Sequence, residues 1–270
     1  MNFIPNSAMS ESFQSVFYSF MPETPTADQR DLVERMERFL FQPIERAGFI
    51  IRGYAGTGKT TSIAALVKTL PAFRYKSVLL APTGRAAKVM ATFSNKKALT
   101  IHKKIYQVKR GGDGQMKFAL AANLHTNTVF MVDEASMISD RGGIRQRSLL
   151  EDLITYVYSG KNCRLVFIGD VAQLPPVGSE LSPALDPKYL KGNFFMNLKG
   201  VELKQVMRQA DESGILYNAS RLRNELLKEE PQIKFKLSDF NDIHRITGME
   251  LEDELNTSYA QFGESNVMMI

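Results

Sequence analysis

The chain has 270 residues, 44% of them apolar, enough for one large globular domain or for one domain and part of another. Its net charge of +5 is a mild basicity that says little about partners by itself. A single cysteine, Cys163, excludes an internal disulfide, and neither a membrane-length apolar run nor a signal-peptide pattern is seen, so a soluble cytoplasmic protein is expected.

Residues 1–25 form an extension in which Phe13, Val16, Phe17 and Phe20 recur at helical spacing. This predicts a short amphipathic helix packed on the domain surface, ended by Met21-Pro22-Glu23-Thr24-Pro25. A helix from about Thr26 to Arg46 follows, with Leu32, Val33, Met36, Phe39, Leu40 and Ile44 as its apolar stripe. Thr26 and Gln29 have the spacing of a capping box at its start. Four short, continuous apolar runs then read as strands buried on both faces: 48–52, 77–81, 128–132 and 164–168. Helical patterns at about 59–70, 84–94 and 145–158 separate them, the alternation of a parallel sheet flanked by helices.

Residues 96–117 interrupt that alternation. Lys96, Lys97, Lys103, Lys104, Lys109, Arg110 and Lys117 face one acid there, Asp113, and 109–114 has turn chemistry. A solvated loop would look the same; the pattern is read as a small hairpin inserted at roughly 105–125. Near the end, a helix is expected at about 213–228, then a charged stretch to about 262. Asn266-Val267-Met268-Met269-Ile270 closes the chain with the look of a buried strand, so the sequence is expected to stop inside a longer protein.

Gly53-Tyr54-Ala55-Gly56-Thr57-Gly58-Lys59-Thr60 satisfies G-x-x-x-x-G-K-[ST] between a predicted strand and a predicted helix, the context that gives the motif meaning. Glycines let successive N–H groups turn onto phosphate oxygens, and the helix start adds partial positive charge. Gly53, Ala55, Gly56, Thr57, Gly58, Lys59, Thr60 and Thr61 are therefore the expected nucleotide contacts, Lys59 reaching the β- and γ-phosphates. Thr60 and Asp133 are the expected Mg2+ ligands, Asp133 because it ends the third apolar strand. Glu134, next to it, is placed to take a proton from attacking water, which favours hydrolysis of a nucleoside triphosphate over transfer to a small substrate.

Further segments carry a family resemblance. They are Ala81-Pro82-Thr83-Gly84-Arg85-Ala86-Ala87, Thr100-Ile101-His102, Asp133-Glu134-Ala135-Ser136-Met137, Gly169-Asp170-Val171-Ala172-Gln173-Leu174-Pro175-Pro176-Val177-Gly178 and Leu203-Lys204-Gln205-Val206-Met207-Arg208-Gln209. In order and spelling they resemble superfamily 1 DNA helicases of the RecD-like and Dda-like branch over residues 26–209. The segment 169–178 is the most specific of them. The resemblance implies an α/β fold of the RecA-like P-loop type: a motor domain over 26–208 with a central, mainly parallel sheet flanked by helices, the inserted hairpin, and at 209–270 the start of a second RecA-like domain. It implies that Gln29 reads adenine beside its capping role. Gln173 would contact the γ-phosphate, and Arg208 would enter the nucleotide cleft and steady transition-state charge. Single-stranded DNA would be met by Pro82, Thr83, Gly84, Arg85, Thr100 and His102, although His102 is also readable as a partly buried structural histidine. The hairpin would serve as a pin at the duplex junction.

The expected cofactors are ATP and Mg2+, and the expected partner is single-stranded DNA, with DNA-repair proteins as further partners. The expected activity is ATP-driven stepping along one strand in replication, recombination or repair, 5′ to 3′ by resemblance alone. With half of the ATP cleft missing from residues 1–270, weak hydrolysis and no unwinding are expected of them. Two rival classes remain at this point: a P-loop phosphotransferase, and an ATP-switched, non-unwinding subunit of a repair nuclease complex.

Overall fold

The computed structural model describes residues 12–110, 116–140, 147–173, 176, 181–205, 213–226 and 228–268. The chain divides into two compact units, Met1–Met207 and Arg208–Ile270.

The first unit is built on a six-stranded sheet. Its strands are β1 (Ala47–Gly53), β2 (Lys76–Ala81), β3 (Ala98–Thr100), β6 (Thr126–Val132), β7 (Lys161–Gly169) and β8 (Asn197–Leu203). They lie in the order β3-β2-β6-β7-β1-β8, and every pairing is parallel. Parallel neighbours need long crossovers, and helices supply them: α3 (Lys59–Thr69) between β1 and β2, α4 (Gly84–Ser94) between β2 and β3, α6 (Leu149–Tyr158) between β6 and β7, and α7 (Pro187–Phe194) before β8.

Each face of the sheet has its own core. Phe49, Ile51, Val166 and Ile168 pack with residues of α1 (Phe13–Ser19), α2 (Ala27–Phe41) and α3. Ile50, Phe130, Leu165 and Phe167 pack on the other side with α6, α7 and the short α5 (Ile101–Ile105). Adjacent residues of one strand serve opposite cores, which explains why β1 and β7 are continuous apolar runs. Full burial of each such side chain stabilises by roughly 1.5–3 kcal/mol.

The expected helix at Phe13 forms and packs as an amphipathic helix, with Phe13, Val16 and Phe17 buried in the core and Phe20 left exposed. Helix α2 stops at Phe41, short of the expected Arg46, and its start carries the full capping box: Thr26 Oγ1 accepts from Gln29 N–H, and Gln29 Oε1 accepts from Thr26 N–H at 2.9 Å. Helix α6 starts at Leu149 under a Ser148 cap. Two strands are additions to the sequence reading, β3 and β8, at opposite edges of the sheet. On β8 the carbonyl of Gly200 accepts from the Arg35 guanidinium of α2 at 3.2 Å.

The insertion is a two-stranded antiparallel hairpin, β4 (Tyr106–Arg110) and β5 (Met116–Leu120), with Lys109 opposite Lys117. Its root is tied down. Tyr106 Oη donates to Asp152 Oδ2 at 2.7 Å, and Ala121 N–H reaches the Ile105 carbonyl at 2.7 Å. Lys104 Nζ lies 2.7 Å from His125 Nε2.

The second unit has two helices, α8 (Gly214–Leu226) and α9 (Leu251–Phe262). Asp242 returns to the start of α8, its carboxylate accepting from Ser213 Oγ and the N–H groups of Gly214 and Ile215. Buried Asn218 bonds the Gly214 carbonyl and both backbone groups of Lys236. Helix α9 falls in the stretch expected to be merely charged and buries none of its residues. The expected terminal strand is corrected: a 3-10 turn covers Glu264–Asn266, and Met268 is 52% exposed. An apolar run becomes a core strand only where something packs on both its faces, and nothing among the described residues does so there. Residues 269–270 lie outside the described residues.

Candidate nucleotide-binding site

Strands β6, β7 and β1 are neighbours, and the loops leaving their C-terminal ends meet. That edge is where open α/β sheets bind ligands. The loop after β1 carries Lys59, the loop after β6 carries Asp133 and Glu134, and the loop after β7 carries Asp170 and Gln173. Together they line a cavity of about 420 Å3. A larger one, about 740 Å3, lies along β8 and α2 and holds none of these groups. Chemistry rather than size picks the smaller.

The loop after β1 is shaped by two left-handed glycines, Gly56 (φ 77°) and Gly58 (φ 80°). A side chain at either would cost about 1–2 kcal/mol. A Cβ on Gly53 would meet Thr57 Oγ1 at 2.8 Å, so that glycine is needed for space. Thr57 is buried and pins the loop by donating to the Tyr54 carbonyl at 2.8 Å. Lys59 Nζ donates to the carbonyls of Gly53 at 2.6 Å and Tyr54 at 2.8 Å, which arches its side chain back over the loop.

Helix α3 differs from its neighbours at its first residue. Its N-cap is Gly58, and no side chain accepts from its first turn. In the same unit α1, α2, α4, α5, α6 and α7 all start under a side-chain acceptor: Ser12, Thr26, Thr83, Thr100, Ser148 and Asp186. The first N–H groups of a helix need an acceptor. At α3 the N-cap residue supplies none, and the first turn, Lys59, Thr60 and Thr61, lines the cavity with its share of the helix dipole.

Opposite them stand two carboxylates. Asp133 N–H continues the sheet by donating to the Leu80 carbonyl at 2.9 Å, and Asp133 Oδ1 accepts from Glu134 N–H at 2.9 Å. Glu134 has a left-handed backbone, φ 51°, which turns the chain sharply at the strand end. Such a conformation is costly for a glutamate and is found where a site needs it. Burial pushes the Asp133 carboxyl above its ordinary range, and Lys59 pulls it back. Burial also raises Glu134; the adjacent Asp133 adds to this, and Lys59 and a hydrogen bond with Gln173 oppose it. Two partly buried acids with raised pKa values are a natural seat for a cation. The Thr60 hydroxyl and the second oxygen of Asp133 are hard oxygen donors of the type Mg2+ takes.

Gly53, Ala55, Gly56, Thr57, Gly58, Lys59, Thr60 and Thr61 thus fall together on the loop and first turn, and Asp133, Glu134 and Gln173 join them. Gln29 does not line this cavity. It is fully buried at the start of α2, and its Nε2 has no hydrogen-bond partner. Helix α2 is itself tied to the end of β8, where Asp28 Oδ2 accepts from the N–H groups of Lys204 and Gln205. Arg208 lies outside the described residues, as do Leu174, Pro175, Val177 and Gly178 of the segment 169–178. Two participants were not singled out from sequence. Asp170 is buried, accepts from Ala172 N–H at 2.8 Å and lines the cavity. Its signal was available, since it ends an apolar strand as Asp133 does. Ser136 donates to Gln173 Oε1 at 3.0 Å, a partnership no local pattern announces.

The residues expected to touch DNA gather at another corner of the same edge. Ala81 and Thr100 are register partners at the ends of β2 and β3. Pro82, Thr83, Gly84 and Arg85 leave the first strand, and Thr100 and His102 leave the second. Thr83 Oγ1 already accepts from Ala86 N–H and Thr100 Oγ1 from Lys103 N–H, each at 3.2 Å. His102 is exposed, with its ring 5.7 Å from that of Tyr106 at the hairpin root, which disposes of the buried structural reading.

Comparison with known proteins supplies the context. A family model described as an AAA domain matches residues 26–246. The ATP-dependent RecD2 DNA helicase of Deinococcus radiodurans is 28% identical over 202 residues, covering 73% of this chain and 25% of its own length. The ATP-dependent DNA helicase dda of Enterobacteria phage T4 is 29% identical over 178 residues, covering 64% of this chain and 37% of its own. Among solved structures, a Pif1 helicase from Bacteroides, in complex with ADP-AlF3 and single-stranded DNA, aligns with 91% of this chain and 58% of its own at 17% identity and a TM-score of 0.46. The chain therefore spans a quarter to somewhat over a third of the length of the two curated relatives. No described helix is long and apolar enough to cross a membrane.

Proposed function

This chain belongs to the AAA-domain family and is a P-loop motor domain of the superfamily 1 helicase type, and on that premise we propose that it hydrolyses ATP to move along single-stranded DNA. The observation that carries the reading is the uncapped start of α3 facing Asp133 and Glu134 across one cavity.

The backbone N–H groups of 55–60 hold the β- and γ-phosphates, and Lys59 swings from the loop carbonyls to join them. Gln29, with an unpartnered amide nitrogen at the start of the helix that is tied to the segment leaving β8, is the group that recognises adenine. Thr60 and Asp133 would hold Mg2+, which when bound would neutralise phosphate charge. Glu134, its basicity raised by burial, accepts a proton from the water that attacks the γ-phosphate. Gln173 senses the γ-phosphate from the neighbouring loop, and Arg208 adds positive charge as the transition state forms.

Pro82–Arg85 with Thr100 and His102 hold the strand through its sugar–phosphate backbone, and the basic hairpin stands beside them as a pin. Movement runs 5′ to 3′, and the work served is replication, recombination or repair. Residues 26–208 form the motor domain, and 209–270 lead into its second RecA-like partner.

The test is steady-state ATP hydrolysis with and without single-stranded DNA. Turnover that rises severalfold with DNA and weakens with salt is expected. A protein that ignores ATP, or that turns it over indifferently to DNA while phosphorylating a small acceptor, sinks the proposal.

A further inference from the structure

The cavity of about 740 Å3 is lined by five consecutive residues of β8, from Leu198 to Glu202. Side chains alternate across a strand, so an unbroken run of lining residues means that the cavity follows the strand's edge rather than one of its faces. Strand β8 ends the sheet and is paired on one side only, with β1. Five residues of strand span about 16 Å, the reach of a short extended peptide.

The two sides of that edge differ in chemistry. On the side of α2 the cavity meets Asp31, Arg35 and Arg38, which share one face of the helix, together with Lys199. On the other side it meets Ile50, Leu198 and Pro187, with Arg52 beyond them on the same face of β1 as Ile50. Charge in the lining is unevenly answered. Both of its acids are engaged: Asp31 Oδ1 lies 2.7 Å from Arg35 Nε, and Glu202 Oε2 lies 3.3 Å from Lys204 Nζ. Arg52 and Lys199 instead donate to neutral oxygens, the Leu185 carbonyl and the Gln42 side-chain amide, and among the described residues no carboxylate pairs with either. Arg52 Nε is buried with no hydrogen-bond partner.

We propose that the edge of β8 is a docking site for an extended peptide of alternating acidic and apolar residues, which joins the sheet as a further strand. Main-chain hydrogen bonds along the edge supply affinity, and the alternation supplies specificity. Acidic side chains meet Lys199 and Arg38 on the side of α2; apolar ones meet Ile50, Leu198 and Pro187 on the other. Arg35 acts as the selector. Its Nη1 donates to the Gly200 carbonyl at 3.2 Å and must leave that oxygen when a strand arrives. A neutral strand gives the guanidinium nothing in exchange, whereas an acidic one gives it a carboxylate. The proposal is independent of the ATPase reading, and binding is expected whether or not the chain hydrolyses ATP.

The test is fluorescence anisotropy with the full chain and a labelled, end-capped peptide of about six residues that alternates aspartate and valine. Saturable binding at micromolar concentration, weakened severalfold by salt, is expected. Lys199→Glu and Arg38→Glu each weaken it about tenfold. Variants of the peptide carry the test where a protein variant melts early. A lysine–valine peptide, a block of aspartates followed by a block of valines, and a peptide N-methylated on alternate amides each bind at least about tenfold more weakly. Absence of binding, equal binding of the block or N-methylated peptide, or indifference to both charge reversals overturns the proposal. A single-stranded oligonucleotide that displaces the peptide and is itself weakened by Lys199→Glu overturns it in favour of nucleic acid.

Discussion

Two corners of one sheet edge begin helices, and they are finished in opposite ways. At the ends of β2 and β3, Thr83 and Thr100 cap the helices that follow, so part of each first turn already has its acceptor. At the end of β1, Gly58 turns the chain and offers no acceptor. The difference teaches how a fold reserves a ligand site. Where a cap is present, the helix is complete by itself, and an arriving phosphate meets exposed side chains such as Arg85 and His102. Where the N-cap side chain is withheld, an anion can take its place. On the proposed function, binding at the first kind of corner is expected to be diffuse and salt-sensitive, and binding at the second stereospecific.

The comparison can be broken most directly at the uncapped corner. Glu134→Gln should lower ATP turnover about 10^2–10^4-fold while nucleotide stays bound, and Lys59→Ala should abolish turnover, both read by phosphate release and by nucleotide retention on a desalting column. Normal turnover in either removes the roles assigned there. A smaller effect is expected from Gly58→Ala. Forcing a Cβ into the left-handed backbone costs about 1–2 kcal/mol of stability and displaces the first N–H groups, so a lowered Tm and a lost ATP-dependent rise in Tm should appear together.

At the capped corner, Thr83→Val and Thr100→Val should each cost about 1 kcal/mol in urea unfolding, from the lost cap, with ATP affinity unchanged. A collapse of ATP binding in either would mean that the two corners are not separate. The smallest effect sits at the hairpin root. Burial, and after it Lys104 and Lys76, hold the His125 pKa below its ordinary value, so the neutral ring accepts from Lys104. The unfolded chain then binds the proton first as pH falls. This share of stability is complete above the ordinary histidine range and declines on acidification toward the lowered folded value. His125→Gln, a neutral acceptor, should flatten the Tm slope between pH 8 and 5; an unchanged slope would show that His125 does not set it.

Much of the first unit was legible because burial on both faces leaves a strong mark. Phe49-Ile50-Ile51 and Leu165-Val166-Phe167-Ile168 can hardly be anything but central strands. The edges wrote weaker signals. Strand β8 alternates Lys199, Gly200, Val201 and Glu202 and is mostly half-buried, and β3 has only three residues. Terminal Val267 and Met268 misled because hydrophobicity marks the capacity to be buried, not its occurrence. In the site, the glycine loop and the paired acids were readable since their chemistry is local in sequence. The Ser136–Gln173 bond and the place of Asp170 were not, because they arise from β6 and β7 becoming neighbours, a fact of topology.

The guanidinium of Arg35 resting on the Gly200 carbonyl has a further meaning for how these molecules behave in a crowd. A sheet that ends in a bare ladder invites foreign chains to extend it. Here one carbonyl of the outermost described strand already has a partner, a cation that a visiting strand would first have to dislodge and rehydrate. The margin of the sheet therefore carries its own deterrent to clumping, made from a helix that faces it.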